Sequence, residues 1–432
     1  MPALSSHDPA LNVVIVVDHA HIAGGQAKVA FDSALGLLQA GHRPIVFAAA
    51  GPVDPSLAAS GLDIRCLDQS DLVGNPSKVA AAVQGVWNFA AARALDALLA
   101  GLPPGRSVVH VHGWAKALSP SIAGPIARSR LPAVYTMHEY FLFCPNGGFY
   151  NYKRGAICAL TPMSGACLAT NCDSRNYARK LWRVGRQFIS ERVAHLPETF
   201  SDFVTISEFQ AKILAPYLPS RARVHRVSNP VSAENLGQKS QPASGEFVFV
   251  GRISPEKGPF LFAEAAERAG VEAVFVGEGP AAAELRARHP RARILGWKAP
   301  EEARALMRRA RALVFPSLWY EGQPLVVLEA KAMGTPILVS DACAAREEIE
   351  DGVTGLWFKS GDVGALARVL ERAKDDALIE RMSRAAYSAY WADPPTIERH
   401  AQRILAVYRA ALASAARGVG EEAAAASVSA PM

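Results

Sequence analysis

The chain has 432 residues, which is too many for one hydrophobic core, so two domains are expected. Half of the residues are hydrophobic, and the net charge of +6 suits anionic ligands or an anionic membrane surface without indicating nucleic acid. Because no apolar run reaches the roughly 18 residues that span a bilayer, and the first ten residues are polar, we expect a cytoplasmic protein.

Apolar runs that have the pattern of buried strands alternate with helical segments in the first half of the chain. The runs cover residues 11–17, 45–48, 133–137 and 203–206, and the more polar segments 108–112 and 223–227 are also predicted to be strands. This alternation predicts a parallel sheet with helices on both faces. Gly24 and Gly25 follow the first run and precede a helix, so they form either an anion site at the helix terminus or a plain tight turn.

Two histidines follow strands of this half. His112 ends one strand and His138 follows the next, at the edge of a parallel sheet where ligands bind. Glu139 and a long irregular segment at about residues 140–176 come after His138. His138 is therefore the stronger functional candidate of the two.

The irregular segment holds four of the six cysteines: Cys144, Cys158, Cys167 and Cys172. The segment has little apolar periodicity, so something other than packing must hold its shape. A structural zinc ion on the four thiolates is predicted. An iron–sulfur cluster, free buried thiols and disulfides are the alternatives.

A basic amphipathic helix is predicted next, at about residues 175–192. Its basic residues, Arg179, Lys180, Arg183 and Arg186, alternate with apolar ones. The helix either packs its apolar face on the protein or lies on an anionic membrane surface. The second alternative places a peripheral membrane contact at about residues 176–192, at the inner face of the membrane.

The polar stretch 232–245 is predicted to be a linker, and strands alternate with helices again beyond it. The predicted fold class is therefore α/β, with two doubly wound, Rossmann-like domains facing each other across a cleft. The first domain is predicted at residues 11–235, including the insertion at 140–176, and the second at residues 243–392.

The most informative stretch is residues 315–336. It starts at the end of a predicted strand, passes Glu321 and Gly322, and enters a helix at Pro324. Glu321 and Glu329 therefore flank a helix N-terminus, where free N–H groups bind anions. A phosphate would fit there while the two carboxylates accept hydrogen bonds from the hydroxyls of a sugar nucleotide.

A second stretch, residues 251–258, carries two cations, Arg252 and Lys257, between glycines. Glycines let a ligand approach the backbone closely. If this stretch faces the Glu321 helix across a crevice, the two cations would neutralise a pyrophosphate without a metal ion.

These motifs resemble those of the GT-B fold glycosyltransferases of family 4, which retain the anomeric configuration. The residues that carry the resemblance are the Glu-x7-Glu pair Glu321 and Glu329, the basic loop Gly251, Arg252, Glu256, Lys257 and Gly258, the turn Gly277 to Gly279, and the glycine pair Gly24 and Gly25. The resemblance covers nearly all of residues 11–415 and is most specific over 247–360. The insertion after His138 is not general in the family.

The resemblance implies a role for each of these residues. Arg252 and Lys257 would bind the donor diphosphate, Glu321 and His138 would contact the transferred sugar, and Glu329 would hold the ribose. The other donor-binding candidates are Gly24, Gly25, Gly251, Gly277, Gly322, Gln323, Pro324 and Leu325. A last helix at residues 393–415 would cross back to the first domain.

The resemblance thus implies a hexosyltransferase-like enzyme that moves a sugar from a nucleotide-diphosphate sugar to a saccharide or lipid-linked acceptor. It implies no metal or other cofactor for catalysis, in keeping with the lack of an Asp-x-Asp motif near the donor site. The alternatives are a sugar-nucleotide epimerase or phosphorylase of the same fold, and a non-catalytic scaffold protein.

Overall fold

Two parallel β-sheets form the framework of the computed structural model, which describes residues 9–428 and the side chains of residues 9–417. The strands are β1 (Asn12–His19), β2 (Arg43–Ala50), β3 (Asp63–Gln69), β4 (Ser107–Val111), β5 (Ala133–Thr136), β6 (Tyr150–Asn151), β7 (Ala156–Ile157), β8 (Asp202–Thr205), β9 (Arg223–Arg226), β10 (Phe247–Val250), β11 (Ala273–Val276), β12 (Arg293–Ile294), β13 (Ala312–Phe315), β14 (Ile337–Ser340) and β15 (Gly355–Phe358). The first sheet has the order β3-β2-β1-β4-β5-β8-β9 and the second the order β12-β11-β10-β13-β14-β15.

Helices connect these strands and cover both sheets. They are α1 (Gly25–Gln39), α2 (Pro55–Ala58), α3 (Lys78–Val86), α4 (Phe89–Ala100), α5 (Ala123–Ser129), α6 (Gly165–Ala169), α7 (Tyr177–Arg192), α8 (Leu196–Thr199), α9 (Glu208–Leu214), α10 (Pro259–Ala269), α11 (Ala282–Arg288), α12 (Pro300–Arg309), α13 (Leu325–Ala332), α14 (Val363–Arg372), α15 (Asp376–Ala392) and α16 (Ile397–Val428). The predicted α/β class with two doubly wound sheets is confirmed.

The continuous apolar run of β1 is explained by burial on both of its faces. Val14 and Val16 pack into one core cluster, together with Trp114, whereas Ile15 packs into another with Phe31 of α1. Successive side chains of a strand point to opposite faces, so a strand covered on both sides has no polar alternation. The carboxyl ends of the first-sheet strands, including those before His112 and His138, therefore meet at one edge.

The last helix returns to the first lobe. α16 packs against α1, where Ile397 lies so close to Gly36 that any side chain there would collide with it. Tyr408 of α16 bonds to His110 of β4 at 2.6 Å. The helix begins at Ile397 and continues to Val428, so it starts later and runs further than the predicted 393–415.

The insertion at 140–176 contains the short hairpin of β6 and β7 and the one-turn helix α6. Polar contacts attach it to α7: Arg183 pairs with the buried carboxylate of Asp173 at 3.2 Å and donates to Asn146 Oδ1 at 2.6 Å. Among the described residues, no helix combines the length and apolarity needed to cross a bilayer.

Candidate functional site

The central stretch places a helix N-terminus at the cleft. β13 leads into a loop that ends at Pro324, and α13 begins at Leu325, one residue later than predicted. Pro324 occupies the N-cap position, where its missing N–H is no loss because that group has no partner within the helix. The free N–H groups of the first turn of α13 make this end suitable for an anion.

Glu321 is held by three donors that converge on one oxygen. Ser317 Oγ lies 2.9 Å and Trp319 Nε1 lies 2.8 Å from Glu321 Oε1, and Lys257 forms an ion pair with the same atom. The Lys257 ammonium also lies 5.6 Å from the centroid of the Trp319 ring. The structure thus brings Lys257 and Glu321 together, as predicted, but the cation contacts the carboxylate itself. Ser317 and Trp319 were not predicted, although both lie within the stretch 315–336.

Arg252 is placed differently from Lys257. The Arg252 side chain is exposed and lies near Tyr152 of the insertion. Burial raises the pKa of the Tyr152 hydroxyl, and the positive charge of Arg252 opposes that rise. The insertion therefore lies near the loop of residues 251–258, a proximity that the sequence did not predict.

Gly251, Gly258 and Gly277 are required by the packing of the loops. Gly277 has a φ of 138°, and a Cβ there would collide with the carbonyl oxygen of Gly251. Gly258, with a φ of 70°, faces Pro316 O in the same way. These glycines let the loops after β10, β11 and β13 contact each other through their backbones.

The predicted glycine pair reaches the second lobe. A Cβ on Gly25 would lie 3.8 Å from Leu325 Cδ1, at the first residue of α13. Gly24 has a φ of 149° with open space around its Cβ position, so the pair leaves room beside the helix N-terminus.

Two of the predicted donor-binding residues, Glu329 of α13 and Gln323 in the loop before it, also face the first lobe. Burial raises the pKa of Glu329, and the charges of Arg304 and of Lys28 on α1 oppose the rise. The Gln323 side chain accepts from Asn229 N at 2.7 Å and donates to Glu348 at 3.0 Å, so it connects the lobes. At Gly322, a Cβ would press on Ile206 of the first lobe.

His138 is a partly buried imidazole that stacks on the buried ring of His112. Its Nε2 lies 2.9 Å from His112 Nδ1, and the two ring centroids are 5.1 Å apart. Burial lowers the pKa of His138 to about 3, so at neutral pH it offers hydrogen bonds and not a proton. Nε2 of His112 is buried without a hydrogen-bond partner among the described residues.

The structure does not assemble the predicted four-cysteine zinc site. All six cysteines are free, and the described residues contain no group of three or more His, Cys, Asp or Glu side chains that could hold a metal ion. A cation is nevertheless present at the thiols, because the buried Lys180 ammonium donates to Cys167 Sγ at 3.4 Å.

The basic helix α7 is packed on the protein, as the first of its two predicted arrangements requires, but only in part. Lys180 and Arg186 are buried, and Arg186 donates to Ala115 O at 2.8 Å while its guanidinium lies over the Trp182 ring. In contrast, Leu181 is 48% exposed and Phe188 is 55% exposed. Part of the apolar face is therefore left uncovered.

Comparison with known proteins identifies both halves of the chain. Residues 23–235 match the model "Glycosyltransferase Family 4", and residues 236–390 match "Glycosyl transferases group 1". The Mycobacterium tuberculosis glycogen synthase is 26% identical over 84% of this chain and 86% of its own length. The Escherichia coli UDP-Gal:alpha-D-GlcNAc-diphosphoundecaprenol alpha-1,3-galactosyltransferase is 30% identical over 32% of this chain, and the match spans 38% of that enzyme.

Solved structures show the same fold. The sucrose-phosphate synthase of Thermosynechococcus elongatus superimposes with a TM-score of 0.66 at 17% identity, over 94% of this chain and 100% of that one. The Anabaena protein HepE in complex with UDP-glucose superimposes with a TM-score of 0.63 at 16% identity, over 93% of this chain and 100% of that one.

Proposed function

The chain belongs to the GT-B fold glycosyltransferases of family 4, and on that premise we propose that it transfers a sugar, with retention of configuration, from a nucleotide-diphosphate sugar to an acceptor hydroxyl. The relatives reported above are named as a transferase and a synthase, which favours this reaction over an epimerase, a phosphorylase or a scaffold. The single observation that carries the proposal is the Lys257–Glu321 pair beside the N-terminus of α13.

The proposed mechanism uses this positive region at the leaving group. The donor diphosphate lies between Lys257, Arg252 and the first turn of α13. As the bond from the sugar C1 to the diphosphate oxygen breaks, negative charge grows on the diphosphate, and these groups stabilise it more than they stabilise the bound donor. The leaving oxygen takes the proton of the acceptor hydroxyl, whose oxygen forms the new bond to C1, so no side-chain base is required.

The same cations argue for catalysis without a bound metal ion, since they supply the positive charge that Mg²⁺ supplies elsewhere. The separate prediction of a structural zinc ion is tested by elemental analysis of the purified protein. We expect less than one zinc per chain, because the described residues contain no group of three or more possible ligands and the Lys180 ammonium already contacts Cys167. One zinc per chain would confirm the predicted structural zinc ion.

For the acceptor we propose a cavity of about 490 Å³ in the first lobe, at the carboxyl ends of β1, β2 and β3. Its lining includes the imidazoles of His19 and His21 and the carboxylates of Asp68 and Asp71. Paired carboxylates disfavour an anion, whereas carboxylates and imidazoles together bind hydroxyls well. A saccharide is the ligand that fits this lining, either free or linked to a lipid.

We propose a cytoplasmic enzyme with peripheral contact to the inner face of the membrane through α7. The support is the exposure of Leu181 and Phe188 on a helix that also carries Arg179 and Arg192. Apolar residues can enter the lipid interface while basic ones contact anionic headgroups. This contact suits an acceptor of polysaccharide or glycolipid synthesis, which is the process we propose.

A thermal-shift panel of nucleotide sugars and their nucleoside diphosphates tests the function. A bound donor raises Tm because it stabilises only the folded state. We expect one nucleotide class to raise Tm, and we expect release of its nucleoside diphosphate only when an acceptor is present. If no nucleotide sugar changes Tm, the protein is not a transferase of this kind. If the sugar is converted without release of the nucleoside diphosphate, the enzyme is an epimerase.

A further inference from the structure

The insertion at 140–176 crosses the cleft and contacts the loop that carries Glu321. The Trp319 ring lies so close to Gly148 that a Cβ there would be 3.0 Å from two of its atoms. The Tyr140 and Tyr320 rings meet edge to face with centroids 6.5 Å apart. The start of the insertion therefore forms a wall next to the Glu321 carboxylate.

Tyr140 has a polar group in this wall that the protein itself does not satisfy. The residue is 2% exposed, and its hydroxyl proton has no acceptor among the described residues. The nearby Gln210 amide donates to Met137 O at 2.5 Å, and its oxygen accepts from Ile206 N at 3.3 Å. A hydrogen bond from the same amide to the Tyr140 oxygen lowers the pKa of Tyr140, but it gives the hydroxyl proton no acceptor. A buried hydroxyl proton without an acceptor is costly, so its presence requires an explanation.

The environment of the hydroxyl indicates what completes it. Tyr140 packs against the ring of Tyr320, which immediately precedes Glu321 in the chain. Burial and then the negative charge of Glu321 raise the pKa of Tyr140. Three donors already converge on Glu321 Oε1. A sugar hydroxyl both accepts and donates, so one such group can accept from Tyr140 and donate to the Glu321 carboxylate.

We propose that the Tyr140 hydroxyl is a recognition group for the donor sugar, and that the insertion forms one wall of the sugar pocket. This inference rests on the proposed function, because it concerns the sugar of the nucleotide donor. It assigns the insertion a part in choosing the sugar, while Lys257 and the α13 terminus bind the diphosphate. Tyr140 therefore distinguishes the nucleotide sugar from the bare nucleoside diphosphate.

The test compares two dissociation constants in wild-type protein and in Tyr140→Phe. The ligands are the nucleotide sugar that raises Tm most in the panel and its nucleoside diphosphate. We expect the Kd of the nucleotide sugar to rise about 10-fold on loss of one buried hydrogen bond, while the Kd of the nucleoside diphosphate stays unchanged. A merely structural role would weaken both ligands or neither.

Tyr150→Phe is the matched control. Tyr150 is also in the insertion, and its hydroxyl is buried without a partner among the described residues, but it faces the turn at Gly155, 3.8 Å from the Cβ position there. We expect both Kd values to be unchanged in this variant. Equal Kd values for wild-type and Tyr140→Phe, or an equal loss for both ligands, would overturn the inference. If wild-type protein bound no nucleotide at all, the proposed function would fail first.

Discussion

At the scale of single residues, Lys257 is the group on which the donor site depends. Its ammonium pairs with Glu321 and lies over the Trp319 ring. A cation in this position can neutralise the carboxylate or a diphosphate, so binding of the donor would exchange one anionic partner for another. Trp319 and Ser317 would keep Glu321 in place during that exchange.

Replacing the cations tests this view. We expect Lys257→Ala and Arg252→Ala each to lower kcat/KM on the order of 10²-fold, because charge on the leaving diphosphate loses a charge-assisted contact. Steady-state kinetics with the donor found by thermal shift measures the effect. Arg268→Ala, which removes an arginine paired with Glu264 near the end of α10 that lies away from the 251–258 loop, serves as the control and should act like wild type. Wild-type kcat/KM in both cation variants would refute the donor-site assignment.

Glu139 gives the protein a pH dependence of stability. Burial raises the pKa of Glu139 to about 7 from an ordinary value of 4.5. The folded state therefore binds a proton that the unfolded state releases between these values, so stability falls as pH rises through this window. The loss amounts to about 3 kcal/mol above pH 7.

Glu139→Gln should remove this dependence, because the amide keeps an oxygen for the Phe141 N–H but does not titrate. Urea unfolding should give the variant a higher free energy of unfolding than wild type at pH 8 and an equal one near pH 5. Glu264→Gln, on the exposed face of α10, is the control. Parallel pH profiles for wild type and Glu139→Gln would contradict the expectation.

At the scale of elements, α7 and the insertion stabilise each other. Polar groups of the helix bond to the insertion, namely the buried Lys180 and Gln187 and the half-buried Arg183. Gln187 donates to Leu142 O at 2.9 Å. A long segment with little apolar periodicity thus keeps its shape through hydrogen bonds to one helix. The same arrangement turns Leu181 and Phe188 outward.

The outward residues lead to a prediction for membrane contact. A double variant, Leu181→Ser with Phe188→Ser, should bind vesicles containing anionic phosphatidylglycerol at least about 10-fold more weakly, since two apolar side chains no longer enter the interface. Co-sedimentation measures the partition. The control is Trp297→Ser with Val353→Ser, which removes two exposed apolar residues from the second lobe. Equal binding by both double variants would exclude α7 as the contact.

At the scale of the whole molecule, contacts of several kinds hold the two lobes in register. Glu347 of the second lobe accepts from the backbone N–H groups of Glu208 and Phe209 at the start of α9. Gln323 bonds to Asn229, and Gly25 approaches Leu325. These contacts bring the α13 terminus, the glycine pair and the insertion to one cleft.

α16 follows the second lobe in the sequence but packs against the first lobe and stabilises it. Tyr408→Phe should lower the free energy of unfolding by about 1 to 3 kcal/mol, because it leaves His110 Nδ1 buried without its partner. Chemical denaturation measures the change. Tyr387→Phe, which removes a hydroxyl bonded to Asn235 in a solvent-exposed position, should cost less than about 1 kcal/mol. An equal cost for the two variants would show that the α16 contact adds nothing.

The amino-acid sequence by itself determined the α/β class and the central features of the donor site. Runs such as residues 13–17 are apolar without alternation, which is the pattern of a strand covered on both faces. The stretch around Glu321 combines a strand end, a proline and a helix, which are local signals. Such signals act over a few residues and can be read from the chain directly.

Only the tertiary structure decided which distant groups meet. The partnership of Lys257 with Glu321, the Lys180 ammonium at Cys167 and the wall formed by Tyr140 join residues that are far apart in the sequence or belong to different lobes. The cysteine spacing suggested a metal ion, because the sequence does not show whether a metal ion or a lysine ammonium contacts a thiol in the folded protein. The sequence also did not determine which side of α7 is buried. A basic residue such as Arg186 is buried only where other parts of the fold supply hydrogen-bond acceptors for it.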